Sequence, residues 1–263
     1  MLKKRLIPCL LLQNGQLVKS TRFEDFQILG NPKIAIQFFN TWSVDEIIFL
    51  DISRTKDYTS LLRRDYNFKF IENFIGIVKE CAKICFVPLT IGGGIRNIND
   101  AQIFFQSGAD KISINSQAIA TPDFISEAAN KFGSQAVVVS IDARRRGFDN
   151  YEVFTDYGDK STGMSPEVWA KRAEELGAGE ILINSIDRDG TLEGYDLNLI
   201  DKVLRSVNIP VIACGGAGKW EDMVEGLKKG ASAVSAANIF HFSEQSTKYA
   251  KDYLAKSGID VRI

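Results

Sequence analysis

Short apolar runs alternate with amphipathic stretches from one end of the chain to the other. The runs at 5–11, 46–51, 86–91, 111–115, 136–142, 180–185, 210–214 and 232–236 are rich in Val, Ile, Leu or Phe. That is the pattern of strands buried on both faces. Between them lie helical segments such as NINDAQIFFQSGA (97–109), SPEVWAKRAEELGA (165–178) and WEDMVEGLKKGA (220–231). Gly108, Gly177 and Gly230 stand where a glycine ends a helix. Eight strand–helix pairs predict a parallel sheet closed on itself, a (β/α)8 TIM barrel. QNGQLVKST (13–21) after the first strand and RRRGFDNYEVFTDYGDKSTG (144–163) after the fifth are longer insertions. Each alternates around a glycine turn and predicts a hairpin over the barrel mouth. With no linker or low-complexity tract, residues 1–263 read as one barrel domain.

The chain repeats itself. VPLTIGGGIRN (87–97) recurs as IPVIACGGAGK (209–219), a shift of 122 residues (210 − 88). The same shift carries Gly93 to Gly215, Gly94 to Gly216, Gly108 to Gly230 and Ser116 to Asn238. DEIIFLDISR (45–54) matches GEILINSIDR (179–188) less closely. Duplication and fusion of a half-barrel accounts for this pattern. The expected fold therefore has duplicated half-barrel symmetry, with two equivalent sites facing each other across the mouth.

Composition narrows the classes of function. The 263 residues match the typical size of one such barrel, about 250 residues. A net charge of -1 gives no reason to expect nucleic acid or an acidic membrane surface as partner. No apolar run approaches the roughly 20 residues of a spanning helix, and MLKKRLIPCLLLQNG leads into a turn, as a first strand does. A cytoplasmic protein is expected. Cys9, Cys81, Cys85 and Cys214 have no pairing pattern, and no His or second Cys pair joins Cys81 and Cys85 as a zinc site. They read as reduced core thiols. The single histidine, His241, excludes a His-rich metal site, so neither metal nor cofactor is expected.

The candidate chemistry gathers at strand ends. In TIGGGIR and ACGGAGK, glycines follow a strand and precede a helix, so bare backbone can approach an anion and offer N–H groups. SINSQ (113–117) and SAANIF (235–240) place Asn115, Ser116, Ala237 and Asn238 beside Gly93, Gly94, Gly215 and Gly216. One such loop could be an ordinary tight turn. Two in register favour a ligand with a phosphate at each end. Asp51, Asp142 and Asp189 fall at or just beyond the ends of the second, fifth and sixth strands, on the catalytic rim of barrel enzymes. Asp142 ends AVVVSID, a run with no other reason to accept a charge, and suits general acid–base work. Setting RLIPCLL (5–11) on AVVVSID (136–142) puts Leu11 at the position equivalent to Asp142, so a symmetric pair of acids is absent. At the opposite end, Arg5, Glu46, Lys111 and Glu180 open strands. Spacing alone makes them surface salt bridges worth about 0–1 kcal/mol.

These residues point to a family. KRLIPCL, the loop carrying Lys19, DEIIFLDI, TIGGGI, GADKISIN, FGSQAVVVSIDA, GAGEILINSIDRDGT, GGAGK and the terminal DVR closely resemble the cyclase subunit of imidazole glycerol phosphate synthase. The resemblance runs from Met1 to the C-terminus. It implies a barrel that receives ammonia from a separate glutaminase docked on its N-terminal face. With that ammonia it would split and cyclise a bis-phosphorylated ribulosyl-aminoimidazole in histidine biosynthesis. The products would be imidazole glycerol phosphate and an aminoimidazole carboxamide ribotide. The resemblance makes Arg5, Glu46, Lys111 and Glu180 an ammonia gate, in place of surface salt bridges. Gly94, Asn115 and Ser116 match one phosphate site. Asp189, Gly190 and Gly216 match the other, with Asn238 where the family usually has Ser. Asp142 matches one catalytic aspartate and Lys19 the lysine of a mobile loop.

The other catalytic aspartate of the family falls at Leu11, and Asn184 and Cys214 replace the usual Thr and Ser on the inner wall. These departures resemble a divergent branch associated with surface polysaccharides. In that branch ammonia goes towards amidation of a sugar, with a glutaminase and an ATP-dependent amidotransferase as companions. A barrel that only activates its glutaminase is a third reading, disfavoured by Asp142 and the intact loops. Leu11 also disfavours a neighbouring isomerase family that uses paired acids.

Overall fold

A computed structural model describes residues 3–55, 58, 73–241 and 246–262. The strands in chain order are β1 (Arg5–Gln13), β2 (Gln16–Thr21), β3 (Asp25–Gly30), β4 (Ile47–Asp51), β5 (Leu89–Gly92) and β6 (Lys111–Ile114). They continue as β7 (Val137–Gly147), β8 (Asn150–Thr155), β9 (Lys160–Ser161), β10 (Glu180–Ser185), β11 (Val211–Cys214) and β12 (Ala233–Ala236). The helices are α1 (Pro32–Thr41), α2 (Phe74–Ala82), α3 (Ile98–Gln106), α4 (Ser116–Ala120), α5 (Asp123–Phe132), α6 (Pro166–Glu175), α7 (Leu197–Ser206), α8 (Trp220–Lys229) and α9 (Ser246–Lys256).

Eight strands pair in parallel in the order β1, β4, β5, β6, β7, β10, β11, β12, and β12 returns to β1. The closed eight-strand (β/α)8 barrel is therefore present. Strand alternation sorts its side chains into two layers. On β1, Leu6, Leu10 and Leu12 belong to the core beneath the helices, with Phe39, Phe49 and Phe240. Ile7, Cys9 and Leu11 point the other way, into a smaller cluster with Ile48, Val138, Leu182 and Ile212 inside the barrel. Asn31, Asn73, Asn97 and Asp196 start α1, α2, α3 and α7 by accepting a backbone N–H through the side chain.

The duplication is visible in the backbone. β1 opens one half of the ring and β7 the other, and each runs on into antiparallel strands. Gly93 and Gly94 follow β5 at φ +103° and +75°; Gly215 and Gly216 follow β11 at +88° and +108°. Gly108, Gly177 and Gly230, expected at helix ends, all have positive φ.

Three boundaries differ from the expected ones. The third barrel strand begins at Leu89 and not at 86, because Phe86 is 84% exposed and Pro88 has no N–H for a ladder. β7 runs past Asp142 to Gly147 because its tail pairs with β8. The first excursion turns at Asn14–Gly15, as expected, but continues through β3 to Gly30. Among the described residues β3 pairs only with β2, and it exposes Ile28 and Leu29, so burial leaves no alternating signal there.

Candidate active site

The ring order sets the site. β5 and β11 stand four strands apart among eight, so their glycine loops lie on opposite sides of the mouth. β6 and β12, which lead to Asn115–Ser116 and Ala237–Asn238, are opposed in the same way. One cavity of about 740 Å³ opens between them. Gly93, Gly94, Asn115 and Ser116 line one side; Asp189, Gly190, Gly215, Gly216, Ala237 and Asn238 line the other. Arg96 and Lys160 add cationic side chains to the lining.

The glycines are required by close approach as well as by φ. A Cβ on Gly93 would collide with the Asp51 carbonyl, and one on Gly190 with the Ser20 carbonyl. The two excursions lie over the two loop pairs. On one side Ser116 Oγ accepts from the Asp156 N–H at 3.1 Å. On the other, Asn238 Nδ2 donates to the Ser20 carbonyl at 3.1 Å, and the Arg22 N–H to the Asp189 carbonyl at 2.9 Å.

Asp142 sits between the two sides, in the cavity wall. It is half-buried, facing the cavity but walled in elsewhere. Burial pushes its carboxyl up to about 7, and the charge of Asp189 adds to this. Hydrogen bonds from Asn184 and Asn115 act in the opposite direction. Asn115 Nδ2 donates to Asp142 Oδ2 at 2.6 Å and Asn184 Nδ2 to Oδ1 at 3.4 Å. A carboxyl that ionises near neutrality can both give and take a proton. Asp189 is also raised by burial, to about 6, although Ser20 Oγ and the Phe23 N–H donate to it. Asp51 is more tightly held. Its carboxylate accepts from the Ser53 N–H and Oγ at 3.0 and 2.5 Å and from the Tyr58 hydroxyl at 2.5 Å.

β1 and β7 stand opposite in the ring, so Leu11 faces the side that bears Asp142. Leu11 is 9% exposed and packs with Cys9, Val18, Leu50, Ile52 and Phe26. This wall is hydrocarbon and cannot exchange a proton. Cys9 is nearby, but its hydrogen bond to Cys214, followed by burial, raises its pKa well above the ordinary thiol range.

At the other end of the barrel, Arg5, Glu46, Lys111 and Glu180 form a closed ring of alternating charge. Arg5 Nη1 meets Glu46 at 2.8 Å, and Lys111 Nζ meets Glu46 and Glu180 at 2.9 and 3.0 Å. Arg5 Nη2 closes the ring on Glu180. Thr90 Oγ1 adds a donor to Glu46 at 2.7 Å. Glu46 and Glu180 are only 2% and 4% exposed, so these are not the surface salt bridges that spacing alone suggests. Burial alone would lower the Arg5 pKa, but Glu180 and then Glu46 outweigh it and raise it.

Lys19 is not brought to the cavity with the other expected residues. It lies on β2 beside Ser20, and since neighbours on a strand face opposite ways, Ser20 lines the cavity and Lys19 does not. Ser20, Arg96, Asp156, Tyr157 and Lys160 belong to the lining without having been singled out from sequence. For Ser20, Asp156, Tyr157 and Lys160 only the hairpin signal placed their segments over the mouth, and for Arg96 only the glycine loop it ends; nothing in the local pattern marked the individual residues.

Comparison with known proteins decides the family. The histidine biosynthesis protein family matches residues 5–246. The chain belongs to this family. Similar relatives are proteins named imidazole glycerol phosphate synthase subunit HisF from three Clostridium botulinum strains. The chain is 46% identical to those of strain 657 / Type Ba4 and strain Langeland / NCTC 10281 / Type F, and 45% identical to that of strain Okra / Type B1. Each match covers 100% of this chain and 100% of the relative.

Proposed function

We propose that the chain is the ammonia-accepting cyclase subunit of an imidazole-glycerol-phosphate-synthase-type glutamine amidotransferase, with residues 1–263 working as one barrel domain. The observation that carries this reading is the shared cavity, with glycine loops on opposite sides and Asp142 between them. Gly93, Gly94, Asn115 and Ser116 would hold one phosphate of a ribulosyl-aminoimidazole bisphosphate. Asp189, Gly190, Gly215, Gly216, Ala237 and Asn238 would hold the other, through backbone N–H groups that bare glycines leave accessible. Lys19 would come to the ligand only if β2 moved. Ammonia would enter past Arg5, Glu46, Lys111 and Glu180 from a glutaminase subunit seated on that end, and meet the ligand at Asp142. Asp142 would act as base while ammonia adds and as acid when the ribotide leaves. The products would be imidazole glycerol phosphate and aminoimidazole carboxamide ribotide. No metal-binding cluster of His, Cys, Asp or Glu occurs among the described residues, and no step above calls for one. Nor is any helix among them long and apolar enough to cross a membrane. As a member of a biosynthetic enzyme family, the protein is placed by this reading in the cytoplasm.

One observation favours a second reading. Leu11 and Leu50 make hydrocarbon of the wall opposite Asp142. On that ground the same barrel would conduct ammonia to a different acceptor, a sugar or nucleotide sugar amidated by an ATP-dependent companion. Soaking crystals in sulfate tests what the readings share. Density at both glycine loops is expected, and density at neither would refute the phosphate sites.

A further inference from the structure

Within the barrel ring, the pairing register sets Asp142 beside one other residue of the cavity. On β7 and β10, Asp142 stands level with Asn184. The pair on the opposite half of the ring is Leu11 with Leu50, on β1 and β4. A polar couple thus faces an apolar one, and the polar couple is where proton chemistry is possible.

Three details define how Asn184 is held. Its Nδ2 donates to Asp142 Oδ1 at 3.4 Å, while Asn115 Nδ2 donates to Oδ2 at 2.6 Å, one amide for each carboxylate oxygen. Its Oδ1 is buried with no hydrogen-bond partner among the described residues, so its bond to Asp142 orients the amide. Gly215 makes room for it, since a Cβ there would stand 2.5 Å from Asn184 Oδ1. Among the described residues no salt bridge reaches Asp142. The two amides are therefore what favours its charged form against burial.

We infer that Asn184 is a positioning residue that aims the Asp142 carboxylate into the cavity and favours its ionised state. The inference rests on the proposed function only in taking Asp142 as the acid–base group. The other titratable groups of the cavity are Asp189 beyond β10, Cys9 on β1, Cys214 on β11, Asp51 at the end of β4 and Arg96 beyond β5. The second excursion contributes Asp156, Tyr157 and Lys160. Of these, Asp189 acts on Asp142 by charge, and it opposes ionisation. A donor to a carboxylate lowers its pKa, so loss of the Asn184 amide moves the Asp142 pKa upward.

The test uses the full chain, without ligand, carrying carbon-13 at the aspartate carboxyls and titrated by NMR. The Asp142 signal is identified by its absence in Asp142→Asn. In Asn184→Ala the pKa of Asp142 is expected to rise by about one pH unit, about tenfold in the ionisation constant. In Asn184→Thr, which keeps a hydroxyl donor, it should stay near that of the unmodified chain. The acid limb of the kcat–pH profile with ammonium and the ribulosyl bisphosphate should move to higher pH by the same amount. An Asp142 titration unchanged in Asn184→Ala would overturn the inference, as would equal shifts in the Ala and Thr variants. A shifted titration with no turnover in any variant would uphold the inference and count against the cyclase reading.

Discussion

Because burial pushes Asp142 up to about 7, the folded chain keeps a proton there that the unfolded chain releases near 4. Folded Asp142 therefore binds its proton more tightly, and its contribution to stability falls as pH rises from about 4 to about 7. Asp142→Asn should leave stability nearly unchanged at low pH and raise it by about 2–4 kcal/mol at about pH 8. Thermal unfolding across that range checks this. A variant less stable than the parent at pH 8 would contradict it. The sequence made Asp142 stand out because a charge ended an otherwise apolar run. Its hydrogen bonds to Asn115 and Asn184 were not legible, since they depend on which strands become neighbours in the ring.

At the scale of elements, each glycine loop is a strand end, two positive-φ glycines and a helix start. Gly216 has φ +108°, and a Cβ there would collide with the Gly194 carbonyl. Gly216→Ala should cost about 1–3 kcal/mol from backbone strain. It should also remove most of the stabilisation that inorganic phosphate gives the parent chain. Thermal shifts measured with and without phosphate separate the two effects, and an unchanged phosphate response would exclude this loop from the anion site. The loops were legible in sequence because the repeat displayed them twice. β3 was not, because an exposed edge strand with polar and apolar side chains both in solvent gives no period of two. Phe86 misled in the opposite sense, extending an apolar run into a loop.

At the scale of the whole molecule, the charged floor and the mouth with its two glycine loops lie at opposite ends of one barrel. Arg5→Ala would leave Glu46 and Glu180 sharing Lys111 in a buried setting, at a cost of about 3 kcal/mol. With the glutaminase partner present, the same variant should hydrolyse glutamine without matching product formation. Coupling equal to that of the parent would remove the floor from the ammonia route. The four charges were visible in sequence as strand openers, but their closure into a ring follows only from the order of strands.

Leu11 bears most directly on the central claim, that this barrel turns ammonia and a ribulosyl bisphosphate into two products using one cavity acid. The decisive measurement is turnover of that bisphosphate with ammonium salt by the purified chain, beside a Leu11→Asp variant. A second acid–base group is worth about 10²–10⁴-fold, so slow formation of both products is expected from the unmodified chain and a gain of that size from the variant. No product from either would rule out this reaction and assign the ammonia to another acceptor.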